Sequence, residues 1–184
     1  MTPEDFTGLQ KIENYIGRAL NLSDLRSGIQ IIRDARGWRQ NEKSIDYIWI
    51  VRVSRSFIGF GGLVSVKFNQ REFREIKNPE ELVQGVFLEG AYGEITQSHF
   101  EVESTHFYDP IQKLPKFDLF DANQGVTLDG ICYQFRVIAN NIDTIISLNN
   151  PSSQSWKEWE RHLFELGKRL SKKSQNTELI QLFE

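Results

Sequence analysis

Asp129-Gly130-Ile131-Cys132-Tyr133-Gln134-Phe135-Arg136-Val137-Ile138-Ala139-Asn140-Asn141 is the stretch that decides the fold. Asp129-Gly130 is a turn signal. After it, Ile131, Tyr133, Phe135 and Val137 alternate with Cys132, Gln134, Arg136 and Ile138, the period of a strand with one large apolar face. Asn140-Asn141 then suits a tight turn, because asparagine tolerates positive φ, and a second strand is expected to return through Ile142–Leu148. Asn149-Asn150-Pro151 ends the sheet, since proline has no N–H to give to a ladder.

The strongest helix signal follows directly. Ser155 is expected as its cap, with Glu158 completing a capping box. Trp156, Trp159, Leu163, Leu166, Gly167 and Leu170 fall within an arc roughly 100° wide, and Arg161, Glu165, Lys168 and Arg169 take the opposite side. A stripe with two tryptophans needs a broad surface to cover. The preceding hairpin offers it.

Working outward, Thr2-Pro3-Glu4-Asp5 starts another helix, with apolar positions from Phe6 to Leu20 on one side. Strands are expected at Ile29–Arg33, Ile45–Val53, Leu63–Phe68, Val86–Glu89 and Ile95–Tyr108, with Gln70–Lys77 able to extend the sheet. Asp34–Ser44 reads as a surface loop, Asn78-Pro79-Glu80-Glu81 as a helix start ended by Gly85, and 109–130 as a long loop pinned by Leu114, Phe117, Leu119 and Phe120. Lys172–Asn176 is polar enough to fray, and Leu179, Ile180, Leu182 and Phe183 form an apolar end able to dock. The runs of strands lack strand–helix alternation. The expected architecture is therefore one α+β domain over 1–184, a mainly antiparallel sheet of about six strands flanked by N-terminal and C-terminal helices.

At 184 residues with a net charge of −3, the chain can bury a sizeable core and carries no overall basic bias for nucleic acid. Its start is acidic and polar and no apolar run is long enough to span a bilayer, so a cytoplasmic protein without membrane contact is expected. The single cysteine, Cys132, excludes an internal disulfide framework and reads as a buried or half-buried small hydrophobe.

Candidate chemistry is sparse. His99, Glu101 and Glu103 share one strand face at alternate positions, where two carboxylates and an imidazole could hold a metal or move protons. The plainer alternative puts Phe100 and Val102 in the core and the three polar groups in water. Phe60-Gly61-Gly62 lacks the helix start and the Lys that a phosphate loop requires, and reads as a turn. Glu75-Ile76-Lys77, with Asp46 upstream, resembles a nuclease tripeptide that chance alone supplies. Asp118, Asp121, Asn123 and Gly125 lack calcium-loop spacing. No cofactor is expected.

Charge is distributed unevenly. Arg33 to Arg55 holds six basic residues and three acids around Trp38, whereas Asn78 to Asp109 holds seven acids and no Lys or Arg. Such blocks steer partners of opposite sign. The composition therefore points to a non-catalytic interaction protein of the immunity or antitoxin kind, meeting a basic protein through Glu89, Glu94, Glu101 and Glu103, with Trp38 as a further contact. The alternatives are a metal binder or enzyme using His99, Glu101 and Glu103, and a nucleic-acid binder using 33–55.

Overall fold

The computed structural model describes residues 3–72, 75–76, 81–103 and 130–184, without the side chains of 3–7, 39–41, 70–72, 75–76 and 103. Residues 109–129 of the expected loop, the strand end at 104–108, His106, the calcium-like residues and Lys77 lie outside them. Helix α1 (Pro3–Ala19) precedes β1 (Gly28–Arg33), β2 (Arg39–Arg55), β3 (Gly59–Glu72), β4 (Glu75–Ile76), β5 (Glu81–Glu89) and β6 (Ile95–Glu103). Then come β7 (Ile131–Ala139), β8 (Ile142–Asn149), α2 (Gln154–Ser174) and α3 (Thr177–Leu182). One antiparallel sheet runs in the order β6-β5-β3-β2-β7-β8, with β1 beside β2 and β4 beside β3. The fold is α+β, with helices at both ends of the chain packed on that sheet. Among the described residues no helix is long and apolar enough to cross a membrane.

The 131–170 stretch folds as its periodicity requires. Ala139 pairs with Ile142 across the two-residue turn, and Asn141 takes a φ of 63°. Trp156, Trp159, Leu163, Leu166 and Leu170 are buried on Trp49, Val51, Leu63, Tyr133 and Phe135. Trp159 meets the Phe135 ring at 4.6 Å and the Tyr133 ring at 5.4 Å, both edge to face. On the other face, Ile12 and Ile16 of α1 pack on Ile48, Ile50, Val64, Val66 and Phe87. Of the two outcomes open to the C-terminal segment, docking is observed: α2 runs to Ser174, and Leu179, Leu182 and Phe183 are buried.

Five local expectations are corrected. Phe60-Gly61-Gly62 is not a turn but the start of β3, paired with Ser54, Val53 and Arg52 of β2 and with Glu89, Leu88 and Phe87 of β5. Glu81–Gly85 is strand, not helix. Pairing of β5 with both β3 and β6 buries Val83, Val86, Phe87 and Leu88, and a strand buried on both faces outweighs a local helix-start signal. Most of the expected 34–44 loop is β2, paired with β1 and β3; the turn is confined to Asp34–Trp38, where Asp34 Oδ1 accepts from the Arg36 and Trp38 amides. Helix α2 begins at Gln154 after Ser153, whose side chain makes no cap bond, so the Ser155–Glu158 box does not form. Cys132 is exposed. It alternates with Tyr133 onto the face carrying Arg52 and Gln134, beside a cavity of about 390 Å³.

The Tyr133 hydroxyl donates to the Glu160 carboxylate beneath α2. Burial, and then this carboxylate, push the phenol above its ordinary value of about 10. A raised folded-state pKa contributes stability that is complete below the unfolded value and is lost as pH climbs beyond it. The melting temperature should therefore fall more steeply above about pH 10 in wild type than in Tyr133→Phe. Parallel curves up to pH 11 would show that the phenol carries no such linkage.

Candidate functional site

The turns β2–β3 and β5–β6 lie side by side at one end of the sheet, because Phe60 of β3 pairs with Glu89 of β5. Ser56-Phe57-Ile58 makes the first turn, closed by the Ile58 amide donating to Arg55 O at 3.1 Å. Gly90–Glu94 makes the second, held by Gly90 N to Glu94 O at 2.9 Å. Lys11 of α1 braces it by donating to Tyr92 O at 2.6 Å. Helix α3 borders the first turn, since Arg55 donates to Leu182 O at 2.7 Å.

Between these elements lies a cavity of about 400 Å³. Ile58, Phe60, Leu88 and Leu182 form its apolar side, Glu178 brings a carboxylate, Glu89 lines it with its own carboxylate turned away to Arg52 and Gly8 of α1, and among the described residues no Lys or Arg lines it. Glu94 stands at the rim, its Oε1 3.1 Å from where a side chain on the lining Gly90 would begin. The three acids differ in availability. Glu89 is buried and held by Arg52 at both oxygens, Nε to Oε2 at 2.5 Å and Nη2 to Oε1, which neutralises it. Glu94 and Glu178 are exposed. The cavity thus offers an apolar wall and free negative charge at its edge, a fit for the aliphatic stem and charged head of Lys or Arg.

The same end exposes three aromatics and an isoleucine that the motif and charge readings did not use. Phe57 is 98% exposed, Tyr92 79%, Phe60 50% and Ile58 48%. Phe57 also holds a φ of 66°, the left-handed region. For a bulky non-glycine residue this costs about 1–2 kcal/mol. A residue that neither packs nor relaxes there does nothing for folding. Phe57→Asn should raise stability by about 1 kcal/mol, since asparagine enters this region readily. In a chain of this size that is a melting-temperature rise of about 2–4 °C. A fall in melting temperature would show that the ring is needed for the fold.

The other anticipated residues are dispersed. Trp38 is exposed in the β1–β2 turn, at the opposite end of the sheet from Glu89 and Glu94. Of the basic 33–55 segment, Arg52 serves Glu89 and Arg55 serves Leu182 O. Lys43 donates to Leu20 O at 2.7 Å and lies over the Phe68 ring; burial lowers its pKa, opposed by Glu81. Arg33 bonds Gly37 O at 3.0 Å, and Arg36 stays exposed beside Trp38.

Glu101 does not face water. Its carboxylate meets Lys173 Nζ at 2.7 Å and Arg169 Nη1 at 3.4 Å from α2, with His99 Nε2 at 4.0 Å. Phe100 packs on the α1-side core as anticipated, whereas Val102 is 65% exposed. The Glu103 side chain is outside the described residues. Among the described residues no group of three His, Cys, Asp or Glu is placed to hold a metal ion.

A signal for the aromatic end was present in the sequence. Ser56-Phe57-Ile58-Gly59 puts large apolar residues where turn chemistry favours Gly, Asn or Asp. Comparison with known proteins finds no matching family model, no similar curated protein and no similar solved structure.

Proposed function

We propose that the chain is a non-catalytic, cytoplasmic protein-interaction module that receives a basic protein at the acidic cavity between α3 and the β2–β3 and β5–β6 turns. The observation that carries this reading is the cavity lining, which joins apolar walls to Glu178 at its mouth and Glu94 at its rim, with no basic residue among the described residues that line it. Two of the four acids anticipated from the sequence, Glu89 and Glu94, belong to this region. Glu101 serves α2 and is better read as structural. The exposed thiol of Cys132 is in keeping with a reducing compartment.

Charges at the edge of an interface act mainly on association rate and salt dependence. Fluorescence anisotropy with a labelled nona-arginine peptide is the direct test, with nona-glutamate as counterpart. The arginine peptide should bind more weakly to Glu94→Gln/Glu178→Gln than to wild type, with the difference largest at low ionic strength. Arg36→Gln, at the opposite end of the sheet, should bind as wild type. Equal binding of the two peptides, or an unchanged affinity in the double variant, would remove the basis for a basic partner.

A further inference from the structure

The acidic cavity accounts for charge but leaves Phe57, Ile58, Phe60 and Tyr92 unexplained. Ile58 and Phe60 line that cavity, and Phe57 and Tyr92, both more than three-quarters exposed, belong to the two adjacent turns that flank it. Isolated apolar residues on a surface are ordinary, but several gathered at one end mark a contact site. Phe and Tyr are also enriched at protein interfaces, and Tyr is among the residues that carry most of the binding energy there. The backbone at Phe57 supports the same view, since strain at a residue that stabilises nothing points to a role outside folding.

We propose that this aromatic end is the apolar half of the docking surface, so that the partner segment is amphipathic, with an aliphatic residue on Phe57 and Tyr92 beside an Arg or Lys that enters the cavity. This inference rests on the basic-partner reading of the cavity. The juxtaposition argues for it: Ile58 and Phe60 line the cavity and are also half exposed at the tip, so one surface continues from apolar rim to carboxylate. Charge favours a protein over a bilayer, because Glu94 and Glu178 beside the tip would be repelled by anionic headgroups.

Three labelled hexapeptides test it: two leucines with two arginines, the same peptide with serine for leucine, and the same with glutamate for arginine. Sedimentation with phosphatidylcholine–phosphatidylserine vesicles is run beside them. The leucine–arginine peptide should bind wild type about tenfold tighter than the serine–arginine peptide. Phe57→Asn, expected to fold more stably than wild type, and Tyr92→Ser should each shrink that ratio towards one and leave serine–arginine binding unchanged. Equal affinities for the two arginine peptides in wild type would overturn the apolar half alone. A glutamate peptide that binds as well as the arginine peptides, or no binding by any of the three, would take the underlying reading with it. Vesicle binding lost in Phe57→Asn would make the tip a membrane contact and overturn the proposal.

Discussion

Trp159→Ala should unfold at a markedly lower denaturant concentration than wild type, with a stability loss of about 3–5 kcal/mol. In a chain of this size that is a fall in melting temperature of roughly 6–20 °C. Trp159 is 3% exposed and stands at the centre of an aromatic group, with Phe135, Tyr133 and Trp156 at 4.6, 5.4 and 5.7 Å between ring centroids. Edge-to-face contacts of this kind add to the area term, so truncation loses both. The cavity left behind cannot collapse easily, because sheet strands β2 and β7 hold one wall and α2 the other. Urea unfolding with the slope monitored would separate a true stability loss from a change in the denatured chain. A midpoint within a few tenths molar of wild type would mean that α2 does not lie on the 131–148 hairpin.

That hairpin and its helix were legible because all the relevant information is local. Two-residue alternation sets the strand face, Asn141 sets the turn, and the spacing from Trp156 to Leu170 sets the buried stripe. What stayed illegible depends on partners far along the chain. Glu81–Gly85 follows an apparent helix start, yet becomes strand because β3 and β6 pair with it on both sides. Cys132 reads as interior from its apolar neighbours, but the strand period puts it with Gln134 and Arg52, on the face where it is exposed. The acidic block was visible as a block. Its internal allocation was not, because Arg52 and Glu89 are 37 positions apart, and Glu101 finds its cations on α2. Charge counts along a sequence say how many carboxylates there are. Only the packing says which of them remain free.

The Arg52–Glu89 pair turns that distinction into the second large expectation. The two side chains are 20% and 2% exposed, and the carboxylate is held at both oxygens. Arg52→Met should therefore cost about 3–5 kcal/mol, because it leaves a buried carboxylate without its counter-charge. Arg52→Met/Glu89→Met should recover most of that loss, since replacing both members of a buried pair by apolar side chains is often neutral. The double variant also bears on function. If Glu89 is structural, binding of the nona-arginine peptide should survive in it, carried by Glu94 and Glu178. If Glu89 is itself a contact for the partner, the double variant should lose that binding while folding normally. Arg52→Met would then strengthen peptide binding with little effect on stability, because the carboxylate would be released to the partner. Equilibrium unfolding and peptide titration on the same two proteins separate these cases. A small stability loss in Arg52→Met together with tighter peptide binding would return Glu89 to the interaction surface.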